Sequence, residues 1–311
     1  GTFSGNPWNT DAGDLGLKVV ATDTAGANAS QVFNLSVISA NHAPIATNDA
    51  ASVSEDASLM ISASAGVLVN DSDIDVGDGK SVTAVAFGAH SGSIGSSLSG
   101  TYGTLALRAD GSYDYVANSA TAETLSVGQQ ATDVFQYTMT DSSGIASSAS
   151  LSIVVTGTND APVTQSDGNA ISEDDVVTLA GNVLSNDHDV DANDVLSVAD
   201  SGTRQGTYGA LTLNANGSYS YVLNNSSPAV QSLGVNQTAT DHFAYQAADG
   251  TTVSAGVLDV VISGRNDAPT ANVVLSNVQG RTGQPVSIVV PQNAFIDVDS
   301  GDTLAYAAAL S

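Results

Sequence analysis

The sequence predicts an all-β protein built from tandem β-sandwich domains, and three observations support this. The tetrapeptide Asn-Asp-Ala-Pro at residues 159–162 recurs at 266–269 and, with one substitution, at 41–44. The copies lie 118 and 107 residues apart, which is the length of one β-sandwich domain. Apolar and polar residues alternate before each copy, and no 3.6-residue apolar period persists for three turns.

The three tetrapeptides are interpreted as short linkers, here called the first, second and third linker in chain order. Proline fixes its own φ and cannot donate to a strand ladder, so each copy ends one strand pattern and starts another. The predicted organisation is the C-terminal part of a domain at 1–40, complete repeats at 41–158 and 159–265, and the N-terminal part of a domain at 266–311. We therefore expect the sequence to begin inside one domain and stop inside another.

Core strands and hairpin turns are marked along both repeats. Asp110-Gly111 and Asn216-Gly217 are typical of tight hairpin turns. The Gly- and Ser-rich residues 87–100 predict a surface segment, either a loop with a role of its own or, as we favour, a hairpin that tolerates changes in length. Aromatic pairs separated by one residue place both rings on one strand face: Tyr113 and Tyr115, Phe135 and Tyr137, Tyr219 and Tyr221, Phe243 and Tyr245.

The composition restricts the possible partners. Six Lys and Arg residues against 32 Asp and Glu residues give a net charge of −26, which disfavours nucleic acids and anionic lipids and favours cations. No apolar run approaches the roughly 20 residues of a membrane span, so we expect no membrane insertion. The chain has no cysteine, so disulfides cannot stabilise its domains.

The sequence gives no support to an enzyme. The four histidines have no cysteine and no Gly-x-Ser-x-Gly motif to accompany them, which argues against a nucleophile-base pair or a zinc site. His242, beside Asp241, is predicted to be an ordinary strand residue next to a turn. A glycosidase would need a carboxylate pair across a cleft, and the positions of the acidic residues are better explained by the linkers.

Acidic residues recur at equivalent places and predict calcium binding. Carboxylates gathered on one side of a loop repel unless a hard cation lies between them, and calcium accepts the irregular geometry that magnesium does not. An EF-hand is excluded because its sixth position would be Val76 rather than glycine. The acidic residues form an Asp-x-Asp-x-x-Asp motif with three copies: Asp73, Asp75 and Asp78; Asp189, Asp191 and Asp194; Asp297, Asp299 and Asp302. For the third Asp of each copy, metal ligation and simple turn capping both remain open.

Other acidic residues are placed by strand length. Glu55 and Glu173 each follow the proline of their linker by 11 residues, about one strand and a bend. This spacing predicts that each glutamate reaches the far end of its domain. Asp133 and Asp241, just before the Phe-x-Tyr strands, are predicted to be solvated strand ends, and the alternative is that they reach the far end of their domain, near the next linker.

The order of these motifs resembles two known families. Glu-Asp, Asp-x-Asp, Asp-x-x-Gly and Asn-Asp-x-Pro resemble the calcium-site motifs of cadherin repeats. Tyr-Gly-x-Leu, Asn-Gly-Ser-Tyr and Asp-x-Phe-x-Tyr resemble VCBS-type repeats of large bacterial RTX-type surface adhesins. Residues 41–265 carry the resemblance through two copies. It implies seven-stranded Ig-like or cadherin-like Greek-key β-sandwiches, Ca²⁺ at the linkers, and secretion to the cell exterior.

The resemblance implies specific ligands at each linker. At the first linker His42 replaces the aspartate, so we expect weaker binding or fewer ions there. For this linker the implied ligands are Asn41, Asp73, Asp75 and Asp141. For the second linker they are Glu55, Asn159, Asp160, Asp189, Asp191 and Asp249. For the third linker they are Glu173, Asn266, Asp267, Asp297 and Asp299.

Two functions from different classes follow. The first is a calcium-stiffened extender of a secreted bacterial adhesin that mediates cell-surface adhesion or biofilm formation, with neighbouring repeats, surface polysaccharide or other cells as partners. The alternative is a polysaccharide-binding accessory module of a secreted carbohydrate-active enzyme. Sugar binding usually needs exposed flat rings, whereas aromatics make up 5% of the chain and Trp8 is the only tryptophan. The sequence therefore favours the extender, at the bacterial surface or secreted.

Overall fold

The computed structural model describes residues 4–8, 11–38, 40–75, 77–174 and 178–309. Its described residues are almost entirely strands and turns, and the predicted all-β class is confirmed. The chain divides into two compact units, residues 1–158 and 159–311. No helix in the described part of the chain has the length and apolar character needed to cross a membrane.

The first unit opens with an antiparallel hairpin of β1 (Gly13–Thr22) and β2 (Asn28–Val37). Its turn is held by the Asp23 carboxylate, which accepts the N–H groups of Ala25 and Ala27 at 2.9 Å. An aspartate that caps its own turn in this way is typical of strand-connecting loops.

The first complete repeat has two facing sheets of the orders β3-β11-β10-β5-β6 and β4-β9-β8-β7. Its first strand pairs parallel with its last strand, and the other pairings are antiparallel. A 3-10 turn covers Ala63–Ala65. The strands are β3 (Asp49–Ser54), β4 (Ser58–Ile61), β5 (Ser81–Phe87), β6 (His90–Gly92), β7 (Ser97–Ser99), β8 (Thr104–Leu107), β9 (Tyr113–Val116), β10 (Gln130–Thr140) and β11 (Ala146–Thr156).

In the second unit, residues 159–265 repeat this arrangement with sheets β12-β19-β18-β14 and β13-β17-β16-β15. A short helix α1 (Pro228–Gln231) is capped by Ser227, whose side chain accepts the Ala229 N–H. The strands are β12 (Asp167–Ser172), β13 (Thr178–Asn182), β14 (Ser197–Val198), β15 (Gly202–Gln205), β16 (Gly209–Leu213), β17 (Ser218–Leu223), β18 (Thr238–Ala248) and β19 (Val253–Ser263).

After the third linker, β20 (Thr270–Ala271) pairs antiparallel with β21 (Phe295–Ile296). Ala294, just before β21, is buried, and its carbonyl accepts the N–H of Asn272 at 2.9 Å. These contacts fix the approach to the third Asp-x-Asp loop.

The two cores follow the period-two pattern of the sequence. Alternate residues of β10 and β18 are buried, because one face of each strand lies against the opposite sheet. The predicted aromatic pairs lie in these cores, and the fully buried large side chains include Tyr115, Phe135, Tyr137, Tyr221 and Tyr245. Such large buried rings contribute much of the apolar burial in a sandwich of this size.

The strands differ from the expectation in two places. Residues 87–100 are not a plain surface loop, because β6 and β7 lie there and Leu98 is buried. The hairpin interpretation of this segment is confirmed, because β5 and β6 pair antiparallel from Phe87 and His90 onward. The resemblance implied seven strands in a repeat, whereas the described residues form nine in the first repeat and eight in the second. The added strands are short edge segments, and a three-residue strand leaves too little alternation to recognise.

The solvated positions predicted for Asp133 and Asp241 are also wrong, because both carboxylates are buried. Asp241 accepts the N–H groups of Thr207 at 2.7 Å and Gly209 at 3.1 Å and the Tyr221 hydroxyl at 2.8 Å. Asp133 accepts equivalent bonds, including one from the Tyr115 hydroxyl at 2.7 Å. These side chains therefore fasten a Tyr-Gly turn to the core of each repeat. Period two had placed each on the face of its neighbouring Phe-x-Tyr pair, and that signal would have predicted burial.

Candidate functional site

The three linkers have the same local structure. The linker asparagine donates its Nδ2–H to the carbonyl of the next residue. The N–H of that next residue then donates to the second aspartate of the Asp-x-Asp loop. The asparagine bonds join Asn41 to His42 (3.2 Å), Asn159 to Asp160, and Asn266 to Asp267 (2.6 Å). The bonds to aspartate join His42 to Asp75 (2.6 Å), Asp160 to Asp191 (3.0 Å), and Asp267 to Asp299 (2.8 Å).

Each Asp-x-Asp loop is fixed by its own first aspartate. One carboxylate oxygen of that residue accepts the N–H of the second aspartate, which is an Asx turn. The distances are 2.8 Å from Asp75 to Asp73, 3.0 Å from Asp191 to Asp189 and 3.1 Å from Asp299 to Asp297. The two aspartates of each loop are thus held in place by backbone donors, and each has a second carboxylate oxygen for other partners.

Several carboxylate oxygens at the linkers and at the Asp-x-Asp loops are buried and have no hydrogen-bond partner among the described residues. Around the third linker they are Glu173 Oε2, Asp267 Oδ2 and Asp299 Oδ1. At the Asp-x-Asp loops of the two complete repeats they are Asp73 Oδ2, Asp189 Oδ2 and Asp191 Oδ1. A buried charged acceptor without a partner is costly, so this recurrence indicates that a cation belongs with these oxygens.

The third linker gathers the most complete set within one unit. Glu173, fully buried after the end of β12, accepts the backbone N–H of Arg265. Burial raises the pKa of Glu173, and the nearby charges of Asp267 and Asp299 raise it further. Burial, together with the charges of Asp174, Asp299 and Asp297, also raises the pKa of Asp267. The set is electrostatically unfavourable without a bound cation.

A cluster of three aspartates includes residues of each Asp-x-Asp loop. One oxygen from each of Asp73, Asp78 and Asp141 lies within 4.8 Å of the others. The same limit holds for Asp189, Asp194 and Asp249, and for Asp297, Asp299 and Asp302. Burial raises the pKa of Asp194, and the charges of Asp191, Asp189 and Asp249 add to it. The third aspartate of the motif thus lies with the first in all three copies.

Asp249 differs from Asp194 because hydrogen-bond donors surround it. Burial acts to raise its pKa, but hydrogen bonds from Thr252 Oγ1 at 2.6 Å and Asn159 Nδ2 at 3.0 Å hold the pKa below its usual range. Asp141 is similar, because the Asn41 amide donates to it at 2.6 Å and lowers its pKa. These two aspartates remain ionised and oriented, as ligands for a hard cation require.

The first linker has a different electrostatic character. His42 Nδ1 lies 3.2 Å from Asp75 Oδ1, and the His42 N–H holds the pKa of Asp75 below its usual value. The counterparts of this oxygen, Asp191 Oδ1 and Asp299 Oδ1, have no such partner among the described residues. At this linker the imidazole thus lies against an oxygen that elsewhere stays open.

The predicted ligands fall into separate groups. In the first unit, Asn41, Asp73, Asp75 and Asp141 are brought together, whereas Glu55 is not among them. Asp141 precedes the start of β11, and Glu55, buried, accepts the Thr158 N–H just past its end, so a strand of roughly 34 Å separates them. In the second unit, one group is Asn159, Asp160, Asp189, Asp191 and Asp249. The other group is Glu173, Asn266, Asp267, Asp297 and Asp299.

Both complete repeats match one protein family. The family described as "Bacterial cadherin-like domain" matches residues 41–157 and again residues 159–264. The chain belongs to this family. A comparison with curated proteins gives no match to this sequence.

Solved structures that are similar to this chain include cadherin domains 1–4 of protocadherin gamma B7, which share 15% identity over 93% of this chain and 67% of that one, with a TM-score of 0.43. Domains 1–3 of protocadherin gamma C5 share 14% identity over 82% of this chain and 78% of that one, with a TM-score of 0.44. An endo-fucoidan hydrolase of glycoside hydrolase family 107 shares 15% identity over 84% of this chain, with a TM-score of 0.28. The chain spans 35% of the length of that hydrolase.

Proposed function

We propose that this chain is a calcium-stiffened extender segment of a large secreted bacterial adhesin of the VCBS type, which holds a distal adhesive region away from the cell. The observation that carries the proposal is the set of buried oxygens at the third linker, on Glu173, Asp267 and Asp299. Membership of the bacterial cadherin-like family supports it, because such repeats typically bind Ca²⁺ and serve adhesion.

The chemistry of this set fits calcium better than other common ions. All donors are carboxylate or carbonyl oxygens, and the described ligand groups contain no cysteine or histidine apart from His42 at the first linker. Calcium accepts six to eight such oxygens in irregular geometry. When bound, the ion would supply positive charge to anions that otherwise repel, with Glu173, Asp267 and Asp299 as its holders.

The proposal extends to the second linker by sequence equivalence. Glu55 corresponds to Glu173, and Asp160 corresponds to Asp267. Glu55 is buried after the end of β3 and accepts the Thr158 N–H, as Glu173 accepts that of Arg265. We therefore propose Glu55, Asn159, Asp160, Asp189, Asp191 and Asp249 as ligands of the second linker.

We attribute stiffening to the proposed ligands on both sides of the second and third linkers, where Glu55 and Glu173 come from the preceding repeat. A free linker of four residues lets neighbouring repeats reorient, whereas an ion held by the linker and by the adjoining loops removes that freedom. The proposed partners are calcium, neighbouring repeats of the same chain, and surface polysaccharide or other cells. The proposed location is the bacterial surface or the medium, and a role in biofilm formation belongs to the same proposal.

Calorimetric calcium titration of two matched variants tests the proposal. Asp160→Ala removes a ligand of the second linker and should lower calcium affinity or stoichiometry. Asp110→Ala removes a carboxylate that only caps the turn before Ser112, at 3.0 Å to its N–H, and should leave calcium binding unchanged. Equal calcium binding in the two variants would contradict the ligand assignment.

The polysaccharide-binding alternative receives less support. The large aromatic rings of the two complete repeats are mainly buried, and Tyr115, Tyr137, Phe135, Tyr221 and Tyr245 are all 1% exposed or less. Flat exposed rings on a sheet face or loop are the usual sugar platform. Among the described residues of the two repeats no such ring is exposed, so the alternative has no sugar platform there.

A further inference from the structure

The open edge of β18 in the second repeat is covered in an unusual way. In the first repeat, β5 pairs with the equivalent strand β10 from Thr140 to Phe135, and β6 then pairs with β5. In the second repeat, β14 has only two residues and pairs with Ala247 and Ala248, and the Ala199 N–H then donates to the Gln246 carbonyl at 2.9 Å. Among the described residues of that repeat, no strand continues this pairing along β18.

Side chains occupy the place of the missing strand. The Asp200 carboxylate accepts the backbone N–H of Gln246 at 3.0 Å, and the Arg204 guanidinium donates to the carbonyl of Ala244. Arg204 also contacts Asp200, with Nη2 at 2.8 Å from the carboxylate and 2.6 Å from the backbone carbonyl. We call Asp200 and Arg204 the edge cap. A carboxylate acceptor and a guanidinium donor thus satisfy the same groups that a neighbouring strand would satisfy.

The edge beneath the cap is suited to strand pairing. β18 has 11 residues, and beyond the bond from Ala199 to Gln246 alternation places the N–H and C=O of His242 and Ala244 on its outer side. Its exposed face carries small or neutral side chains at Ala244 and Gln246. A long edge strand of this kind is a template for a second chain unless something blocks it.

Basic residues are rare in this chain, so the position of Arg204 at a strand edge is notable. It is one of six Lys and Arg residues in a chain with 32 acidic residues, and its side chain is only 23% exposed. A surface ion pair would itself contribute little stability. The bonds to strand-edge groups are what distinguish this pair from an ordinary surface pair such as Arg108 and Asp114.

We propose that the edge cap of Asp200 and Arg204 prevents a second copy of this chain from pairing with β18. Without the cap, β18 of one copy would pair with β18 of the other. Two copies of the same strand can pair antiparallel about a two-fold axis, and such an interface forms a closed dimer. The proposal is independent of calcium binding.

Sedimentation velocity of Asp200→Ala/Arg204→Ala across a wide concentration range tests this. We expect the double variant to form a dimer at concentrations where the wild type does not. Hydrogen exchange should slow at His242 and Ala244 in the dimer, because their outward groups become bonded. The control Arg108→Ala/Asp114→Ala loses a comparable ion pair in the first repeat and should sediment as the wild type does.

A third substitution identifies the surface. Ala244→Pro in the double variant removes an outward N–H that the β19 ladder does not use, so it should restore the monomer. If the double variant fails to fold, Arg204→Met, which keeps an apolar stem, replaces it in the same assays. A folded variant that stays monomeric overturns the proposal. So does association that leaves exchange at His242 and Ala244 unchanged or that persists with Ala244→Pro.

Discussion

Glu173→Gln should have opposite effects on stability with and without calcium. Without calcium, the buried Glu173 carboxylate has one oxygen without a described partner and lies near the charges of Asp267 and Asp299. A glutamine keeps the acceptor for the Arg265 N–H, removes one negative charge, and can donate its amide to a neighbouring carboxylate. Relief of one such buried group is worth about 1 kcal/mol.

With calcium, the same substitution removes a ligand. An ion at a free concentration of about 100 times its Kd stabilises the folded state by about 2.7 kcal/mol, and most of this should be lost. For a unit of this size, about 1 kcal/mol shifts Tm by roughly 2–4 °C. We therefore expect the variant to melt a few degrees above wild type in chelator and several degrees below it in calcium.

Differential scanning calorimetry in chelator and in saturating calcium measures both effects. Asp110→Asn is the matched control, because it makes the same carboxylate-to-amide change in a hairpin turn, where the second repeat already carries Asn216. It should shift Tm little in either condition. If Glu173→Gln lowers Tm equally with and without calcium, the glutamate is only a structural residue and the reasoning fails.

Three further predictions follow from the described contacts. Because the pKa values of Glu173 and Asp267 are raised, the calcium-free protein should become less stable as pH rises between about pH 4 and pH 7. Calcium stabilisation should grow over the same range, so the difference in Tm between calcium and chelator should widen. A constant difference argues against these ligands. Asp241→Ala leaves several buried donors without an acceptor and should lower the free energy of unfolding in urea by at least about 3 kcal/mol. The control Asp259→Ala, at an exposed ion pair, should lower it by less than about 1 kcal/mol. Similar losses would refute the proposal that Asp241 fastens the Tyr-Gly turn to the core. His42→Asp should add calcium-binding capacity at the first linker in a calorimetric titration, and unchanged stoichiometry and affinity would contradict the role given to the imidazole.

Much of the fold could be predicted from the sequence because the same strand and turn pattern occurs in both complete repeats. The alternation around Phe135 and Phe243 predicted core strands, and the aspartate loops recur beside each linker. Asp133 and Asp241 were misplaced because an acidic residue suggests solvent, although their register placed them on the buried face. Burial here depends on donors supplied by a distant Tyr-Gly turn, which no local pattern reveals.

Other contacts could not be predicted from local sequence at all. The bonds from Asp200 and Arg204 depend on a strand that ends after two residues, and strand length is set by tertiary pairing. The contact of His42 with Asp75 joins residues 33 positions apart. Its effect on Asp75 depends on the hydrogen bond that joins the linker to the loop, and no local sequence pattern reveals that bond.

We propose above that calcium at the linkers restricts the motion of neighbouring repeats. Small-angle X-ray scattering of the wild type in calcium and in chelator tests this directly. We expect calcium to change the radius of gyration and to narrow the distribution of interatomic distances. Asp160→Ala should weaken this change, whereas Asp110→Ala should not. Identical scattering in calcium and in chelator would contradict it.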